Sequence, residues 1–218
     1  MIRDFGIVWE ERGLLAQGLA NTVLLSIVGA LIAAALGALL APVLAARLPL
    51  LRKAAQAAVD ALRCVPFLLF AYLVYYGLPS LGVSLDNWSS GLAALGLYHA
   101  AYMAEILRGA WAALPREPIE AGHAFGLYGW RHFRRLVLPL LLLAAGPVLG
   151  NQVIQIIKDS AFLTIIALPE LTHAASSIQS RRYVPFAAFL SAVLLYWALC
   201  LIVEAGVARV GRLAEARR

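Results

Sequence analysis

From Gly13 to Ala46 the chain carries no ionisable side chain. A hydrocarbon core about 30 Å thick is crossed by roughly 20 helical residues, so this run is long enough to span a bilayer with length to spare. Backbone N–H and C=O groups in lipid must be satisfied within the protein, which leaves helices or closed barrels. The runs here are rich in Leu and Ala and lack the alternation of barrel strands, so helices are expected. Further charge-free runs fill Cys64–Leu85, Gly91–Ala104, Leu136–Ile157 and Val184–Val203. With 62% hydrophobic and 14% charged residues and a mean hydropathy of +0.82, an ordinary soluble domain is excluded. The expectation is an all-α membrane protein, residues 1–218 forming one domain, with five transmembrane helices at about 18–46, 64–85, 89–108, 136–160 and 184–206.

A net charge of +6 could suit nucleic acid, but its distribution argues against such a partner. Arg47, Arg52, Lys53 and Arg63 fall in the first connection; Arg108, Arg116, Arg131, Arg134 and Arg135 in the third; Arg209, Arg212, Arg217 and Arg218 in the tail. The second connection carries only Asp86, and the N-terminal segment sets Asp4, Glu10 and Glu11 against Arg3 and Arg12. The positive-inside rule then puts the N-terminus outside and the C-terminus in the cytoplasm, with Arg181 and Arg182 as a mild exception on the outside. Met1–Arg12 lacks the apolar length and cleavage site of a secretory signal and suits an interfacial helix anchored by Trp9. Cys64 and Cys200 sit in separate spans without ligand spacing, which argues for small core hydrophobes and against a disulfide or metal site.

Within the spans, Gly18, Thr22 and Ser26 form a stripe of small residues, as do Gly29, Ala33 and Gly37, and such stripes let helices approach closely. Pro66 opens the second span, which ends in the aromatic and helix-stopping stretch Tyr75–Ser80. Tyr98, Tyr102 and Glu105 share one helix face. Glu105 either pairs with Arg108 near the cytoplasmic surface or joins the tyrosines in facing a polar cavity. The segment Leu136–Leu168 is too long for one span and too short for two, and it contains Pro139, Pro147 and the run Lys158, Asp159, Ser160. A helix starting near Pro139 and crossing late would bring Lys158 and Asp159 into the membrane, where charged groups cost a few kcal/mol and are usually functional. The other placement is at the outer interface.

Residues 116–135 interrupt this apolar pattern. Pro118 suits a first helical position, Glu117 and Glu120 favour the positive end of the dipole, and Gly126 can close a short helix. Tyr128–Arg135 reads as a second amphipathic element carrying Trp130 and Phe133, with Leu138–Pro139 marking the return to the membrane. A rigid helical knob outside the bilayer is what a docking partner would grip.

Glu120, Ala121 and Gly126, followed by Leu138–Pro139, resemble the cytoplasmic motif of ATP-binding-cassette importer permeases. The stretches RCVPFLLFAYLVYYGLP (Arg63–Pro79), AAYMAEILRGA (Ala100–Ala110) and GNQVIQIIKDSAFLTII (Gly150–Ile166) resemble the polar amino-acid uptake permeases, of the type that imports histidine, glutamine or arginine. That resemblance implies a type I ABC importer permease fold with a short coupling helix. It assigns ATPase coupling to Glu120, Ala121, Gly122, Phe125, Gly126 and Leu127, and a substrate path near Tyr98, Tyr102, Glu105, Lys158, Asp159 and Ser160. The implied partners are ATPase subunits that hold ATP and Mg, a second permease subunit in a homo- or heterodimer, and an extracytoplasmic substrate-binding protein. A polar amino acid would be the cargo and the bacterial inner membrane the location. Where such permeases commonly have alanine, this chain has Gly122; where they have Gly-Thr it has Cys64–Val65; Thr-Ser-Leu is replaced by Ser160–Ala161–Phe162.

With no HExxH, no Ser/His dyad at helical spacing and no Gly-rich phosphate loop, the chain reads as a transport subunit without catalysis or a cofactor of its own. An ion-coupled carrier using Lys158, Asp159 and Glu105 is the reading from another class, and the absence of repeated halves weighs against it. A permease for methionine or an osmoprotectant is the nearer rival, because it would share the docking motif.

Overall fold

A short helix, α1 (Ile2–Glu10), leads into α2, which turns the first charge-free run into one helix from Arg12 to Leu44, 33 residues long. The computed structural model describes residues 2–46 and 48–215, so the charges at Arg47, Arg217 and Arg218 lie outside the described residues. All regular elements among those residues are helical. The stripe on α2 is its contact line. A Cβ on Gly18 would sit 2.9 Å from Ala174 Cβ, one on Gly29 3.2 Å from Leu95 Cβ, and one on Gly37 2.8 Å from Met103 Cβ. Removing side chains at these places lets the backbones close up, the main source of helix association in lipid.

The second span departs from the expected 64–85. An amphipathic helix, α3 (Pro49–Cys64), precedes it, and Val65 and Pro66 are extended with ψ of 137° and 135°. The Pro66 ring disfavours helical backbone at Val65 and supplies no N–H, so the chain breaks there. Beyond the break α4 (Phe67–Tyr72) continues through a π turn to Gly77 and a 3₁₀ turn to Leu81, bent by 104° from α3. Cys64, at the break, is exposed and Cys200 half-buried, so the expected core role holds for neither. Cysteine's small apolar side chain permits burial without demanding it.

Asp86 caps α5 (Asn87–Ala112) by accepting a hydrogen bond from the Trp88 N–H at 3.2 Å. α5 lies between α2, α4 and α8, and Ala94, Leu95, Ala100, Ala101 and Ala104 are buried. Protein covers most of its middle, although Leu97 is exposed. It therefore tolerates polar residues, and it is absent from the three helices that are long and apolar enough to cross a bilayer: Arg12–Leu44, Gly129–Ile166 and Pro185–Arg209. The bent α3–Leu81 pair makes a fourth if counted as one span.

The insert is α6 (Arg116–Ala124), followed by α7 (Gly129–His132), a π turn (Phe133–Val137) and α8 (Leu138–Ser160), which ends in a 3₁₀ turn to Ile166. The helical stretch Gly129–Ile166 has 38 residues, about 57 Å at 1.5 Å per residue. The expected turn at Leu138–Pro139 does not occur. Direction changes between the left-handed Gly126 (φ 76°) and Gly129 (φ 58°). The wide π turn just before Pro139 relieves the clash that a proline ring causes one turn back.

The last two helices are α9 (Leu171–Arg182) and α10 (Pro185–Glu215). Buried Glu170 caps α9, accepting from the N–H groups of Thr172 and His173 at 2.7 Å each and from the Tyr196 hydroxyl at 2.7 Å. Burial pushes this carboxyl above its ordinary range. At the other end of α9, Arg182 pairs with Glu11 at 2.9 Å and with Glu10 at 3.9 Å, and Arg181 with Glu11 at 3.6 Å. The two arginines that depart from the charge pattern are thus neutralised by the start of the chain.

Candidate functional site

Two sites hold the residues that the sequence singles out. The first lies where α8 crosses α5. Asp159 is buried, its Oδ2 3.4 Å from Nε2 of fully buried His99, and its Oδ1 accepts from Gln155 Nε2 at 2.9 Å. Gln152 Nε2 lies 2.7 Å from His99 Nδ1, so the ring is held by a hydrogen bond on that nitrogen, while buried Nε2 faces Asp159 without one. Ser160, next along, donates to the Ile157 carbonyl at 2.8 Å. Lys158 is exposed on another side of α8. Adjacent residues on a helix point about 100° apart, and here only the carboxylate turns inward.

The tyrosines belong to the chain break. Tyr98 donates to the Val65 carbonyl at 2.9 Å and Tyr102 to the Arg63 carbonyl at 3.2 Å. These carbonyls lose their helical partners at the end of α3, and an unpaired carbonyl inside a membrane costs several kcal/mol. Phe67, just after the break, packs edge-on against Tyr98 with ring centroids 5.3 Å apart. The break, the tyrosine pair and the His99–Asp159 cluster are therefore contiguous. Glu105 stands one turn beyond, bound by Arg108 through Nε at 3.1 Å and an Nη at 2.7 Å, and by Gln56 of α3 at 3.1 Å.

Sequence reasoning missed His99, Gln152, Gln155 and Gln56. A signal for three of them was present. Gln152, Gln155 and Asp159 follow a three-then-four spacing that shares a helix face, and His99 is the one titratable group other than tyrosine in the run Gly91–Ala104.

The second site is α6. Its helix starts at Arg116, with Pro115 as cap, so Pro118 is the third helical residue rather than the first. The first turn has no intrahelical N–H partners to lose, which makes that position tolerable. The C-terminus closes as a Schellman motif, with Gly126 N–H donating to His123 O at 3.0 Å and Leu127 N–H to Gly122 O at 2.9 Å. The buried face is Gly122, where a Cβ would meet Leu136 at 2.7 Å and the His132 ring at 3.0 Å. His132 Nε2 in turn lies 3.2 Å from the Ile119 carbonyl. Glu120, Ala121 and Phe125 are exposed, Phe125 at 86%, while Leu127 is half-buried.

Comparisons with known proteins show the family. Residues 33–214 match the family described as the binding-protein-dependent transport system inner membrane component. The probable amino-acid ABC transporter permease protein YckA of Bacillus subtilis is 31% identical over 186 residues, 85% of this chain and 82% of its own. The octopine transport system permease protein OccQ of Rhizobium meliloti is 37% identical over 179 residues, covering 77% and 74% of the two chains. Among solved structures, an amino acid ABC transporter superposes with a TM-score of 0.87 and 25% identity over 95% of this chain and 97% of that one. The chain belongs to the family of inner membrane components of binding-protein-dependent transport systems: it is an ABC transporter permease subunit and not an enzyme.

Proposed function

We propose that this permease subunit serves an ATP-driven importer of a polar amino acid, has five transmembrane helices, and has its N-terminus outside and its C-terminus in the cytoplasm. Beside the long apolar helices, α5 serves as the shielded third span. A second permease subunit, like or unlike this one, completes the translocation path, an extracytoplasmic binding protein delivers the cargo, and two ATPase subunits, which bind the ATP and Mg, dock from the cytoplasm.

The observation that carries this reading is α6. Its rigid closure and its Gly122–His132 contact hold Glu120, Ala121 and Phe125 out on a surface that nothing else among the described residues covers. Glu120, Ala121, Gly122, Phe125, Gly126 and Leu127 form the coupling surface. Movement of the ATPases passes through α6 and the continuous helix from Gly129 into α8, which carries Asp159 in its last turn. At that end Tyr98, Tyr102 and Glu105 of α5, with Lys158, Asp159 and Ser160, flank the path. A buried carboxylate supports a cargo that bears an amino group, because opposite charges meet there with little water to screen them.

Copurification tests the docking role. Glu120→Lys inverts an exposed charge on α6 without touching its buried face. ATPase recovery with the tagged permease should fall at least tenfold while membrane insertion is unchanged. Recovery at the wild-type level, with transport intact, would remove α6 from the coupling role.

A further inference from the structure

At the end of the bundle that bears α6, the C-termini of α2 and α5 and the first turns of α3 enclose a cleft of about 500 Å³. Arg52, Lys53, Gln56, Arg108 and Trp111 line it, with Leu44 at its apolar wall. We infer that this cleft binds the phosphate headgroup of an anionic phospholipid in the leaflet on the α6 side.

Charge is the first argument. Of the acidic side chains nearby, Glu105 is held by Arg108 at 2.7 Å, and Asp60 pairs with Arg63 at 3.6 Å. Arg52 and Lys53 are left without an acidic partner among the described residues. Two cations lining one cleft, with Gln56 and the partly engaged Arg108 beside them, give it a positive potential that favours an anion. A phosphate accepts hydrogen bonds from a guanidinium in bidentate fashion and from an ammonium as a point charge.

The surroundings favour a lipid over a soluble phosphate. Leu39, Leu48, Leu50 and Leu51, on the helix ends that frame the cleft, are all exposed. Acyl chains would cover such leucines, and a free anion would leave them in water. Trp111 is 49% exposed at the end of α5 and stacks on Phe133 with centroids 6.0 Å apart. Tryptophan at a helix end marks the headgroup level of a bilayer, and basic pockets between helix ends at that level take anionic lipids. The site is separate from the α6 surface and from the His99–Asp159 cluster. Naming the leaflet as cytoplasmic rests on the proposed orientation, whereas the binding itself does not.

The test uses the intact transporter in nanodiscs of mixed phosphatidylglycerol and phosphatidylcholine, followed by native mass spectrometry of retained lipid. Wild type should keep phosphatidylglycerol, and Arg52→Gln/Lys53→Gln should keep roughly tenfold less or lower still. Arg209→Gln, which removes a cation elsewhere, should change nothing. Equal retention by wild type and the double variant, or equal retention of phosphatidylcholine, would overturn the inference. So would full displacement by inorganic phosphate, which would mark a soluble-anion site, or retention only after the ATPase is removed, which would mark a protein interface. If the double variant does not fold, wild type suffices. Brominated phosphatidylglycerol should quench its fluorescence more than brominated phosphatidylcholine, and Trp111→Phe should abolish the difference. Equal quenching by the two lipids would contradict it. Neither readout involves transport, so failure here and failure of the importer reading are distinguishable.

Discussion

Asp159 shows how far a single residue can be argued from sequence. A carboxylate in a charge-poor helix is expensive in lipid and invites a functional reading. Its setting was less legible. Neutral histidine does not interrupt a charge-free run, so His99 passed as part of the third span, yet it stands 3.4 Å from the carboxylate. Lys158, a natural partner on paper, is exposed on another side of the helix. If Asp159 meets the amino group of the cargo, Asp159→Asn removes a charge-assisted contact worth about 1.5–3 kcal/mol. Uptake should then show roughly ten- to a hundredfold weaker apparent affinity, with selectivity shifted towards cargo of lower positive charge. Affinity and selectivity equal to wild type would make the residue purely structural. Tyr98 and Tyr102 carry a separate lesson. Their spacing on one face was plain, but their bonds to the Val65 and Arg63 carbonyls follow from a chain break that a hydropathy window does not resolve.

Among the elements, the long apolar helices and the Gly126 closure of α6 were readable from composition and from glycine's freedom at positive φ. The start of α6, the break at Pro66 and the continuous passage from Gly129 into α8 were not. Each depends on which backbone groups find partners, and that is settled by packing. Gly122 illustrates the point. Alanine is common in similar permeases, but here the Leu136 side chain and the His132 ring fill the space a methyl group would take. Gly122→Ala should therefore overpack the α6–α7 junction by about 1–3 kcal/mol. It should lower the melting temperature and the ATPase stimulation that accompanies transport, and Leu136→Ala in the same chain, which clears the nearest contact, should recover part of both. A single variant with wild-type melting and coupling would contradict the proposed seating of α6.

For the molecule as a whole, charge asymmetry predicts an orientation with one exception, Arg181 and Arg182, which pair with Glu10 and Glu11. Gly6 and Gly211 have nothing within 4 Å of an added Cβ, so both accept a cysteine probe. With Cys64 and Cys200 replaced by alanine, a membrane-impermeant maleimide should label Gly6→Cys in spheroplasts and Gly211→Cys only after permeabilisation; the reverse pattern would invert the topology. The central claim is that this chain moves a polar amino acid only when an ATPase drives it through α6. The most direct measurement is uptake of radiolabelled amino acids into liposomes holding the permease assembly, with its binding protein, with and without the ATPase. The account predicts accumulation that requires both the ATPase and ATP and survives collapse of all ion gradients. Accumulation driven by an ion gradient with no ATPase present would contradict it.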